Sequence, residues 1–147
     1  MDAGSLLFLT VAGALVTLVG VLNGWILFRA PRRYPESPNE TVTMNVGMPT
    51  GEVVSALEGL RSFEPHGRIE EGDATTFVQS APMTAGMSGR RTYGHWMFVR
   101  VRPGSEGATV DVAINNKWWE SSTWAREERA KRHARVIAEV RKHLELE

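Results

Sequence analysis

The chain contains no cysteine in its 147 residues, which excludes disulfide staples and thiol chemistry. The four histidines, His66, His95, His133 and His143, form no HxH, HxxxH or HExxH spacing, so no metal centre is expected. No GxSxG elbow, P-loop or dinucleotide fingerprint occurs. Asp73 and Asp111 have no neighbour in sequence suited to acid–base work. Seventeen basic residues balance seventeen acidic ones, so the charge carries no footprint of a nucleic-acid binder. These absences lead to the expectation of a non-enzymatic protein without cofactor.

The most telling absence is local. From Leu6 to Phe28 there are 23 residues without Asp, Glu, Lys, Arg or His. At about 1.5 Å per residue such a helix is roughly 34 Å long, against about 30 Å for a hydrocarbon core. A cleaved signal peptide would need a basic start and an apolar core of about 7–15 residues. "MDAGS" has no basic residue, and "WILFRAPRRY" offers no good cleavage site. A retained single-pass transmembrane helix over 6–28 is therefore expected. Arg29, Arg32 and Arg33 follow it and only Asp2 precedes it. The positive-inside bias puts residues 1–5 outside and 29–147 in the cytoplasm, at an inner membrane, with Trp25 at the interface.

"VGVLNGWILF" raises a further point, because each glycine disfavours an exposed helix by about 1 kcal/mol. On a helical wheel Thr10, Gly13, Thr17, Gly20 and Gly24 share one narrow face, flanked by Asn23. Phe8, Val11, Leu15, Leu22 and Ile26 lie opposite. Lipid is as apolar as leucine, so membrane helices associate by close packing, which small residues permit. Thr10, Gly13, Thr17, Gly20, Asn23 and Gly24 are thus a candidate helix-packing interface. Without His, Met, Cys or charge, the segment can neither ligate haem nor carry protons.

"APRRYPESPNE", residues 30–40, has prolines at 31, 35 and 38 and reads as an extended stalk over 29–39 that lifts the following domain away or runs along a partner. "ETVTMNV" alternates as a strand. Thr50 is a candidate N-cap for a helix with Val53, Val54, Leu57 and Leu60 on its stripe. "RIEEGDATTFVQS" reads as a hairpin turning at Gly72 and Asp73. "APMTAGMSGRRT" reads as a loop; its "AGMSGRR" lacks the spacing of a known phosphate loop. Two alternating runs, 93–102 and 108–114, make a second hairpin. A last helix runs from about Ser122 to Leu144, with Ala130, Ala134, Ile137, Val140 and Leu144 on its apolar side. His95 is expected to be packed, and His133 and His143 solvated.

The order β-α-β-β-β-β-α over 40–147 predicts an α+β domain, a two-layer sandwich of an antiparallel sheet with both helices on one face. "NKWWESSTW" places Trp118, Trp119 and Trp124 together, and tryptophan favours interface hot spots and the membrane boundary. With Trp25, Arg29, Arg32 and Arg33 they are candidate contacts to a partner or the membrane. The basic residues of the last helix suit a salt-bridged solvent face, with anionic lipid or an acidic subunit as the other option. Together these features lead to the expectation of a non-catalytic accessory subunit of a larger integral-membrane complex, respiratory or photosynthetic assemblies being examples. Its partners would be other membrane subunits and the bilayer, with self-association open and no nucleic acid. The alternative is a membrane-tethered domain binding a small molecule or lipid, marked by a large apolar pocket under the long helix.

Overall fold

The computed structural model describes residues 3–59, 67–81, 84–85, 91–92, 94–118 and 122–146; the side chains of 3, 6, 23–28, 84–85 and 91–92 fall outside that description. The elements are α1 (Ala3–Phe28), β1 (Glu40–Val46), α2 (Thr50–Glu58), β2 (Gly67–Glu71), β3 (Ala74–Ala81), β4 (Thr84–Ala85), β5 (Arg91–Thr92), β6 (His95–Gly104), β7 (Gly107–Asn116) and α3 (Thr123–His143). Five strands form one antiparallel sheet in the order β1-β7-β6-β3-β2. The fold is α+β, as the patterning predicts.

Strict alternation decides which side of the sheet each residue faces. Met44, Val46, Phe77, Met97, Val99, Val101, Val110, Val112 and Ile114 form one continuous core with Val53 and Leu57 of α2 and Val136 and Val140 of α3. Both helices therefore cover the same face. Val53 and Leu57 stand four residues apart, one turn along the helix, and both are buried.

The connections follow local chemistry. β2 and β3 are joined by Gly72 and Asp73, with Gly72 at φ 60°, the left-handed geometry that tight hairpins favour. β6 and β7 run to Gly104 and Gly107, so Pro103 and Gly104 extend the strand beyond its expected end. Gly107 is required by space: at φ 136°, a Cβ there would lie 2.3 Å from the Val46 carbonyl oxygen.

Several expectations are corrected. Thr50 is the first helical residue rather than the cap; Pro49 holds that position, and its carbonyl accepts from the amides of Glu52 (3.0 Å) and Val53 (3.1 Å). The 81–92 segment is not all loop, because β4 and β5 pair as a two-stranded ribbon; residues 86–90 of "AGMSGRR", like Leu60, lie outside the described residues. The α3 stripe holds in its second half, where Val140 and Leu144 are buried and Ile137 packs on the core, but Ala130 and Ala134 are exposed and Ala125, His133 and Val136 are buried instead. The stripe admits His133 because both ring nitrogens meet acceptors. Nε2 donates to the Val112 carbonyl at 2.8 Å, and Nδ1 lies 3.3 Å from a Glu40 carboxylate oxygen. His133 is therefore not solvated. His143 is exposed, with Nε2 against the Ala56 carbonyl at 2.6 Å.

The largest correction concerns the stalk. Residues 29–39 do not hold the domain away; they strap the second face of its sheet. Ala30 and Tyr34 pack on a cluster of Ile69, Val78, Trp96, Phe98 and Ala113. The Tyr34 ring meets Phe98 edge-on at 5.8 Å and 73°, and the Arg100 guanidinium lies 4.7 Å above Tyr34. At its far end Asn39 clasps β7: its amide donates to Asn115 Oδ1 (3.0 Å) and its Oδ1 accepts from the Asn116 amide (2.8 Å). The sandwich thus has a thin third layer.

Candidate functional site

α1 is helical from Ala3 to Phe28, 26 residues. Among the described residues, no helix is long and apolar enough to cross a membrane. The side chains of α1 are described without interruption over residues 7–22. Over residues 7–22 the large apolar groups are open to solvent around all but the face of Thr10, Gly13, Thr17 and Gly20. Exposure ranges from 48% at Leu22 to 73% at Val16, and includes Phe8, Leu15 and Leu18. An all-round apolar helix is stable only when an apolar medium or partner surrounds it.

The helix brings Thr10, Gly13, Thr17 and Gly20 onto one face, all exposed. A Cβ at Gly13 or Gly20 would meet nothing within 4 Å, and the Thr17 hydroxyl donates to the Gly13 carbonyl at 2.8 Å, which leaves its methyl on the surface. The side chains of Asn23 and Trp25, and the surroundings of Gly24, lie outside the description. Arg29, Arg32 and Arg33 are exposed where the chain leaves α1. Arg29 and Arg32 line a cavity of about 540 Å³ with Arg68 and Glu70 of β2.

The three tryptophans differ in how far the structure describes them. Trp118 is 39% exposed, Trp124 is half-buried, and Trp119 lies outside the described residues. Ser122 caps α3, its hydroxyl accepting from the Ala125 amide at 3.1 Å.

Several polar groups on the strap face are paired, whereas the buried Thr76 hydroxyl and Arg100 Nε have no hydrogen-bond partner among the described residues. Asp111 accepts from the Thr43 hydroxyl at 2.7 Å and from Arg102 Nε at 3.0 Å, which explains how a carboxylate sits in a central strand. Arg100 approaches Glu71 at 3.9 Å. Lys117 bonds the Ser80 hydroxyl and lies 4.5 Å over Trp96.

The helix face carries the less expected feature, which the sequence patterning does not reveal. α3 and the end of β3 enclose a groove of about 510 Å³, lined by Gln79, Met97 and Val136 and by the charged Glu128, Lys131, Arg132, Arg135 and Glu139. It is a charged groove, unlike the large apolar pocket expected of a lipid-binding domain. Arg129 is turned inward, to Glu40 at 3.0 Å, and not to solvent. Next to the groove residue Met97, two positions along β6, His95 is wholly buried on the same face. Burial, then the charges of Arg132, Arg129 and Lys117, lower its pKa to about 4, so it is neutral at pH 7. Lys117 is lowered by burial and by Arg132, and Arg132 by burial and by Arg135 against the opposing pull of Glu128. Among the described residues, no group of three or more His, Asp or Glu is placed to hold a metal ion.

Compared with known proteins, the chain matches no family model, no curated protein and no solved structure.

Proposed function

We propose that this protein is a non-catalytic accessory subunit of an integral-membrane assembly, anchored by α1 and holding its α+β domain at the cytoplasmic face. The observation that carries the reading is the exposure of large apolar side chains over residues 7–22 of α1. Burying them against lipid or protein would contribute about 1.5–3 kcal/mol for each large side chain. The uncharged sequence continues past the described side chains to Phe28 and ends at three arginines. Such an ending matches a span followed by a cytoplasmic flank. The small face through Gly13, Thr17 and Gly20 is where a neighbouring helix would pack.

Purification of the full chain from membranes in mild detergent tests this reading, followed by identification of what accompanies it. The expected companions are integral-membrane proteins, lost on Gly20→Ile and retained on Leu22→Ile. Recovery of the chain in the soluble fraction would reject the anchor. Equal behaviour of the two variants would reject the packing face.

A further inference from the structure

We propose that the strap face of the sheet holds a bound water molecule, shared by the hydroxyl of Thr76 and Nε of Arg100. The two residues stand directly opposite each other on β3 and β6. Both lie on the strap face, each two positions from a residue of its apolar cluster, Val78 and Phe98. Cross-strand partners on one face have Cβ atoms about 4.5–5.5 Å apart, so one water can reach both side chains. Thr76 is wholly buried, and neither its Oγ1 nor Arg100 Nε has a hydrogen-bond partner among the described residues. A buried polar group left bare forfeits its hydration without return, and folded proteins satisfy nearly all such groups with protein or ordered water.

The surroundings select water by size and by chemistry. Ile69 faces Thr76 from β2, and Ala30 and Tyr34 of the strap pack on the cluster of Ile69, Val78 and Phe98. The Tyr34 ring lies over the Arg100 guanidinium at 4.7 Å. These neighbours close the site with apolar surface that offers no acceptor to Nε. Glu71 meets Arg100 at Nη2, at 3.9 Å, and not at Nε. Buried waters typically make about three hydrogen bonds. Asp111 faces Arg100 from β7, and its carboxylate, which accepts from Thr43 and Arg102, has lone pairs left for a further donor. An N–H donor, a hydroxyl and a spare carboxylate acceptor call for a ligand that both accepts and donates. Water does both, and a simple ion does not. The inference is independent of the membrane reading, because every group in it belongs to the α+β domain and the strap.

The test uses the full chain in neutral detergent micelles and two readouts. Oxygen-17 relaxation dispersion of the solvent counts long-lived internal waters, and the Arg100 Nε–H resonance reports its own neighbours. In the unsubstituted protein Nε–H should show a nuclear Overhauser effect at the water frequency, with the sign of a slowly exchanging molecule. Thr76→Val, which keeps the shape and removes the hydroxyl, should lose the equivalent of one long-lived water from the dispersion. Thr76→Ser, which keeps the hydroxyl, should retain it. Thr75→Val, on the opposite sheet face with its hydroxyl already bonded to Glu70, should retain it as well. If valine prevents folding at position 76, Thr76→Ala carries the same expectation. No water contact at Nε–H in the unsubstituted protein would overturn the proposal. So would a dispersion that loss of the Thr76 hydroxyl leaves unchanged, or an equal loss in Thr75→Val.

Discussion

The two faces of the central sheet are built on different terms. Under the helices the surface is an unbroken apolar core, in which Val101, Val110, Val112 and Ile114 are fully buried. Under the strap, a small apolar cluster is ringed by paired polar groups: Thr43 with Asp111, Arg100 with Tyr34, Lys117 with Ser80. An apolar interface is non-directional and contributes according to area. A polar one contributes less energy but holds a defined arrangement, because leaving a buried partner unsatisfied is costly. The helix face is thus suited to holding the fold, and the strap face to holding the chain between α1 and β1 in one path.

Truncation should separate the two faces most clearly. Ile114→Ala, in the helix face, is expected to lower stability by about 2–5 kcal/mol in urea unfolding of the detergent-solubilised protein. A loss below that of any strap-face substitution would reverse the assignment.

The helix face should also be the more acid-sensitive, through His95. The folded protein holds its pKa at about 4, whereas the unfolded chain has 6.5. Stability from this group is therefore full above pH 6.5 and is lost as pH falls from 6.5 toward 4, because only the unfolded state takes up the proton. The loss should be on the order of 3 kcal/mol, and His95→Gln should flatten the pH profile of unfolding. A profile that the substitution leaves unaltered would show that His95 is not the group responsible.

The smallest effect should come from the strap. Tyr34→Ala removes the contacts to Phe98 and Arg100 and should lower stability by about 1–2 kcal/mol. It should also open residues 29–39 to protease while the sheet stays folded. Unchanged cleavage would mean that Ala30 and Asn39 hold the strap without the ring.

The α+β class, the strand order along the chain and the turn at Gly72 follow from alternation and turn chemistry, both local in sequence. What could not be read this way depends on contacts far apart in the chain. The strap resembles a free stalk because proline spacing reports extension but not the surface lying beneath it; Tyr34 and Phe98 are sixty-four positions apart. The first half of the α3 stripe is misplaced because histidine scores as polar, whereas His133 is buried by bonds to Val112 and Glu40. Arg132 resembles a solvent-face arginine until β3 is set beside it, where it is half-buried in the groove wall. That Thr10, Gly13, Thr17 and Gly20 share one face of α1 was legible, since helical periodicity alone defines it.

The path of the strap bears on solubility. It begins beside β2, where Arg29 and Arg32 share a cavity with Gly67, Arg68 and Glu70, and it ends at Asn39 against β7, next to β1. Those are the two sides of the sheet, some 19 Å apart at about 4.8 Å per strand. Nine residues at about 3.1 Å each in a polyproline conformation cover about 28 Å and reach that far with room to spare. The chain leaves α1 alongside an edge strand whose open amides and carbonyls could otherwise recruit a strand from another molecule. Arginine side chains at that edge are a barrier to such pairing. Proteolysis or truncation within 29–39 would remove that barrier along with the connection to α1, and the freed domain should be prone to aggregate through β2.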